Sequence, residues 1–203
     1  MLPPARFRDE GGGGEDGHPR RHKASDHACR LAVWALMVSM SLFFLPITFA
    51  YLVRHGLVSD WRTPALSAIL TFNTAVLLAS SFTLHLGYRN LVRGAIDSTL
   101  RDLTLTAVLG IGFLFGQWTA WKQLFAAGVY IASFPNSGFF YLISAVHAVH
   151  LLGALGVVLW VLGRAWRGRL RQERPLPMEL ASIFWHMLDF TWLYLYGVLV
   201  FWK

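Results

Sequence analysis

The chain has 203 residues, 55% of them hydrophobic and only 14% charged, with mean hydropathy +0.47, whereas a soluble domain carries nearer a quarter charged residues. The net charge is +7, but the basic residues lie between apolar runs rather than in one patch, which argues against a nucleic-acid surface. A single cysteine, Cys29, excludes an internal disulfide framework and any cysteine-based cluster within the chain, and it reads as a small apolar residue.

Residues 1–29 are polar, with Gly11 to Gly14 in a row and a basic run from Arg20 to Lys23. They read as a disordered tail with no packed core. His18, His22 and His27 belong to that solvated tail rather than to a metal site. Nothing resembles a cleaved leader, because the first apolar run follows about thirty polar residues and lacks a small-residue cleavage site.

Five apolar runs follow, at 30–53, 64–88, 103–121, 138–162 and 179–202. Each is long enough to cross ~30 Å of hydrocarbon at ~1.5 Å per residue. The expected fold is therefore an all-α integral membrane bundle of five transmembrane helices, and nine Trp residues suit its interfacial belts. Pro64 stands where a first helical turn accepts proline. Pro135-Asn136 marks a turn in the third connection, 122–137.

Lys and Arg placement sets the orientation. The N-terminal tail holds six, the second connection three and the fourth five, fourteen in all, against four on the other side (Arg54, Arg62, Lys122 and Lys203). This places the N-terminus in the cytoplasm and the C-terminus outside, with the basic loops against anionic headgroups.

Polar residues inside the spans carry the functional question. The second span has Asn73, Thr74, Ser80, Ser81, Thr83 and His85; the third has Gly110, Gly112, Gly116 and Gln117. Hydroxyls between helices contribute roughly 0.6 kcal/mol each, and Gly112 with Gly116 is a small-xxx-small pattern for a close helix contact. The fourth span places His147 and His150 on one face, and the fifth does the same with His186 and Asp189. Asp189 reads as the one acidic residue deep in a span, and a lone carboxylate there requires a partner. Depth along the helices allows His85, His147 or His150 to supply it. Three uses compete for the histidines: axial ligation of a b-type haem, a proton path with Asp189, and a polar lock joining the fourth, fifth and second helices. No metal-ligand set stands out.

Over 31–202 the chain resembles subunit III of haem-copper oxidases in its five-helix bacterial form. The similarity lies in Asn73-Thr74, Leu77-Leu78, Ser80-Ser81 and Thr83; in Gly110, Phe113 and Gln117 followed by Trp121; and in Phe139 to Tyr141 with His147 and His150. The fifth span is the nearest match, with Trp185-His186, Asp189, Trp192 and Leu195-Tyr196. Three positions depart from the family pattern: Met40 replaces its membrane-embedded glutamate, Ala120 stands where an acid precedes the aromatic of the third span, and Ala148 replaces a glycine after the first histidine.

The resemblance implies a non-catalytic subunit without a redox centre, bound to the large subunit I that holds the haems and copper and in contact with subunit II. It implies phospholipid in a cleft between the helices and support of proton uptake in aerobic respiration. The intramembrane polar network or lipid cleft is expected to involve Asn73, Ser80, Ser81, His85, Gln117, His147, His150, Trp185, His186, Asp189 and Trp192. An accessory subunit of a nitric oxide reductase and subunit III of a quinol oxidase stand as alternatives.

Overall fold

The computed structural model describes residues 18–57, 68–130, 135–170 and 175–201. It is all-helical: α1 His18–Leu57, α2 Ala68–Val92, α3 Ile96–Ala126, α4 Pro135–Trp166 and α5 Leu176–Phe201. All five are long and apolar enough to cross a membrane. Their outer faces present Trp34, Phe49, Phe72, Phe82, Phe115 and Phe190, side chains that acyl chains solvate without cost.

The helices outrun the apolar stretches. α1 begins at His18, where a disordered tail was expected; residues 1–17 and Pro64 lie outside the described residues. Pro19 sits in that first turn, where its missing N–H is no loss. At 40 residues α1 is about 60 Å long, twice the hydrocarbon thickness. The C-terminal ends of α2, α3 and α4 extend four or five residues beyond the last apolar position of each expected span. The stop signals there are glycines with positive φ: Gly94 (77°), Gly128 (77°) and Gly168 (63°). Around them Ala95 N–H donates to Asn90 O (2.9 Å), Val129 N–H to Leu124 O (3.0 Å) and Arg169 N–H to Arg164 O (2.9 Å). These are Schellman closures, which satisfy terminal carbonyls and favour a residue without Cβ. Arg89 and Arg164, which read as loop residues, form last helical turns, where a cation complements the helix dipole.

α2 packs along α3 as the most extensive pair. α3 then meets α4, α4 meets α5, and α5 returns to α2, closing a four-helix ring. α1 lies outside this ring and, among the described residues, packs across α4 and α5 only. Its inward stripe is Met40, Phe44, Thr48 and Tyr51, spaced four, four and three residues apart as one helix face requires. Met40 is therefore buried against the ring. The exposed Arg30–Glu179 ion pair (2.9 Å) joins the same end of α1 and α5.

Candidate functional site: a polar seam inside the bundle

The inner face of α2 runs Leu70, Asn73, Thr74, Leu77, Ser80, Leu84, Gly87 and Leu91. Helical spacing thus lines up an amide and two hydroxyls with the core. In an apolar interior each needs a partner, and indoles of facing helices supply two. Trp185 Nε1 donates to Ser80 Oγ (3.1 Å), and Trp192 Nε1 donates to Thr74 Oγ1 (3.1 Å). A third indole repeats the pattern between α3 and α4, where Trp121 Nε1 donates to Ser144 Oγ (3.0 Å). Each hydroxyl donates onward to a carbonyl of its own helix: Ser80 to Leu77, Thr74 to Leu70 and Ser144 to Phe140. An indole is a donor only and a hydroxyl can do both, so each pair is closed chemically. Thr83 and Thr106 add an α2–α3 hydroxyl pair at 2.8 Å.

Close approach shapes the α3 side. Asn73 Nδ2 donates to the Phe113 carbonyl at 2.9 Å. The Asn73 amide occupies the space that a Cβ on Gly116 would fill, and a Cβ on Gly110 would come 2.8 Å from Trp185 Cη2. Gly112 has nothing within 4 Å of such a Cβ. The Gly112–Gly116 pair expected to mark one contact is thus a correction: Gly110 and Gly116 make the approaches, and Gly112 faces outward. Two α-helical residues four apart are 40° offset, enough to separate the contact from the open face.

His186 Nδ1 is hydrogen-bonded to Ser81 Oγ and its Nε2 to Ser182 Oγ (3.1 Å). The exposed His85 ring lies 6.2 Å from it, centroid to centroid. His150 Nδ1 donates to Val146 O (2.8 Å) and its ring lies beside Phe44 at 5.8 Å. His147 is fully buried, 4.9 Å from Trp192 and 6.1 Å from Phe113, centroid to centroid. Neither its nitrogens, the Gln117 amide, nor the Asp189 carboxyl has a hydrogen-bond partner among the described residues.

Asp189 therefore forms no direct hydrogen bond with His85, His147 or His150, contrary to the pairing considered from depth alone. Depth does not fix rotation. His147 is turned onto Trp192, His150 toward α1, and His186 shares the Asp189 face of α5 with Ser81 beside it.

A second buried acid lies just before the expected third span, near the start of α3 and beside Arg101. Asp102 is 2% exposed, within α3, and accepts from Asn90 Nδ2 at 2.7 Å. The signal lay in the inner stripe Thr99, Asp102, Thr106, Gly110 and Phe113, which continues upstream of the apolar run. Trp121, Ser144 and Ser182 complete contacts that spacing alone did not single out.

An apolar groove runs separately between α1 and α5. One part, of about 290 Å³, is lined by Ser41, Phe44, Leu45, Met187, Phe190, Thr191 and Tyr194. The next, of about 510 Å³, adds Leu42, Pro46, Phe49 and Leu52. None of the polar seam residues lines it. Among the described residues no three His, Cys, Asp or Glu side chains gather into a metal-holding set.

A family profile described as cytochrome c oxidase subunit III matches residues 17–203. The chain is 28% identical to cytochrome c oxidase subunit 3 of Thermostichus vulcanus over 176 residues, 83% of this chain and 85% of that one. It is 28% identical to the subunit 3 of a Synechocystis strain over 188 residues, 90% and 76% of the two chains. A probable cytochrome c oxidase subunit 3 of Mycobacterium leprae is 30% identical over 128 residues, and that match spans 63% of each chain. All three relatives carry the cytochrome c oxidase name rather than that of a nitric oxide reductase or quinol oxidase.

Proposed function

From the premise that the chain belongs to the cytochrome c oxidase subunit III family, we propose that it is a structural and lipid-binding subunit that steadies the haem-copper subunit I and supports its proton uptake. It is a multi-pass membrane protein by its five spans. The reading places it in a bacterial cytoplasmic membrane, N-terminus inside, since the basic residues concentrate on that side of the bundle. Haem and copper belong to the partner, and this chain supplies no ligand to them.

The observation that carries the proposal is the interior itself. Three indole–hydroxyl bonds tie α5 to α2 and α3 to α4, and the outward faces are apolar over the length of the spans. Such a body is rigid within and available for helices and acyl chains without. The apolar α1–α5 groove suits a lipid chain, whereas the polar seam is internal and works as a lock. The seam's Asn73, Ser80, Gln117, Trp185 and Trp192 hold helices together in this reading.

The test is purification of the tagged chain from its native membrane in mild detergent, with an optical spectrum and identification of what accompanies it. A haem- and copper-containing large subunit with oxygen-consuming activity is the expected result. Recovery of the chain without haem, or with a nitric-oxide-reducing partner, would overturn it.

A further inference from the structure

We propose that the groove between α1 and α5 is a binding site for a lipoquinol, an isoprenoid-tailed ring with two hydroxyls, held at mid-membrane depth by the Leu42 carbonyl and the Tyr194 hydroxyl. The inference names an occupant for the groove described above and rests on its reading as a lipid-binding cleft; the choice of ligand is argued from this chain.

The first polar group comes from a break in α1. Pro46 lies inside that helix and has no N–H, so the Leu42 carbonyl one turn earlier loses the donor that an unbroken helix provides. Leu42, Leu45, Pro46, Phe49 and Leu52 line the groove, a stripe at helical spacing, so the break opens on the groove side. Tyr194 stands across from it and, with Leu45, lines both parts of the groove. Its hydroxyl makes no hydrogen bond among the described residues.

The two groups share a level. Leu42 is twelve residues from both Arg30 and Arg54, about 18 Å from each, and so close to the bilayer centre. Arg30 is paired with Glu179, and Leu45 and Tyr194 each follow their member of that pair by fifteen residues. A helical side chain leans toward the N-terminus of its helix, which carries the phenol back toward Leu42. An unmet carbonyl and an unmet hydroxyl at that depth have no water to turn to, and each calls for a partner.

The hydrogen-bonding balance selects the ligand. Ser41 Oγ already donates to Met37 O (3.0 Å) and Thr191 Oγ1 to Met187 O (2.9 Å), so these two groove hydroxyls keep only lone pairs to offer. With the Leu42 carbonyl they present acceptors, against a single donor from Tyr194. Phospholipid esters only accept, and they lie at the headgroup level. A hydroquinone ring brings two O–H donors, and being uncharged on an apolar tail it enters the membrane centre. Phe44, Phe190 and Met187 supply soft apolar walls for the ring and tail. The part of about 510 Å³ is within the ~300–1,000 Å³ of small-ligand sites.

The test is photolabelling of the full chain, purified with its partners in phospholipid nanodiscs, by decylubiquinol bearing an azide. Peptide mass spectrometry locates the adducts, and unlabelled decylubiquinol competes. The expected result is adducts within 41–52 and 187–194, suppressed by the competitor but not by its dimethyl ether, which keeps ring and chain and lacks the O–H groups. Pro46→Ala returns an N–H to the Leu42 carbonyl and leaves the helix whole, and Tyr194→Phe removes only a hydroxyl. Each should weaken the competitor about fivefold, which a structural role of either residue would not produce. Leu45→Trp fills the groove and should abolish labelling there. No adducts on these segments, equal competition by the dimethyl ether, labelling that survives Leu45→Trp, or unchanged affinity in either Pro46→Ala or Tyr194→Phe would overturn the proposal. A phospholipid with a photoreactive chain reports on the lipid-cleft reading separately, because it labels the groove whether or not the quinol does.

Discussion

Alanine at Gly116 and alanine at Gly112 are the same change in the same helix, four residues apart, and the structure expects opposite outcomes. Each removes a helix-interior glycine, a gain of up to about 1 kcal/mol. At Gly112 a Cβ meets nothing within 4 Å, so that gain stands alone. At Gly116 the new carbon would lie 2.7 Å from Asn73 Cγ, closer than real contacts permit. Asn73 is 3% exposed and holds the Phe113 carbonyl at 2.9 Å, so it cannot swing away without breaking that bond. Overpacking costs about 1–3 kcal/mol and the lost hydrogen bond about 1 more. The two variants should therefore differ by about 2–4 kcal/mol, with Gly116→Ala below and Gly112→Ala at or above the unaltered chain. Denaturation by sodium dodecyl sulfate in mixed micelles, followed by tryptophan fluorescence, measures the difference. Removing the obstacle provides the internal control: Asn73→Ala combined with Gly116→Ala should be more stable than the sum of the single effects. Equal stability of Gly112→Ala and Gly116→Ala would refute the α2–α3 approach as described.

The other predictions are independent of this one. Thr74→Val leaves the Trp192 indole N–H without its acceptor in the core and should destabilise by about 1–2 kcal/mol in the same assay; adding Trp192→Phe should recover part of the loss in a double-mutant cycle. Met40→Ala opens a cavity at a 2%-exposed position and should cost about 2 kcal/mol or more, while Leu36→Ala, 48% exposed, should stay within about 0.5 kcal/mol. Arg30→Ala should cost no more than about 1 kcal/mol, because the Arg30–Glu179 pair is exposed, and the loss should shrink with added salt. Cys29 is exposed and is the one cysteine of the chain, so a membrane-impermeant maleimide should label it only from the cytoplasmic side of oriented membranes; labelling from the other side alone would invert the proposed topology.

Much of the architecture was legible in the amino acids because a bilayer leaves few choices. A run of some twenty apolar residues must be helical there, since every backbone group has to be satisfied within the segment. Five such runs gave five spans, helical spacing put His186 and Asp189 on one face of the fifth, and Ser80, Trp185 and Trp192 were marked by the family resemblance. Helix ends were less legible: Arg89, Arg93, Arg101 and Arg164 look like connections, yet charged side chains can extend to headgroups from a continuing helix. The turn glycines at 94, 128 and 168 mark the true stops.

Partner choice was not legible at all. Spacing assigns a residue to a face of its own helix but says nothing of how neighbouring helices are rotated and slid against each other. Depth left His85, His147 and His150 all as possible partners of Asp189; packing turned His147 onto Trp192 and His150 toward Phe44 and left His85 exposed. Gly112 and Gly116 are equivalent as a pattern, and only the position of Asn73 distinguishes them. The amino-acid order by itself determined five membrane helices and which polar groups lie within them. The tertiary structure decided which groups meet, because interhelical register and rotation arise from the mutual fit of whole surfaces and not from any local run of residues.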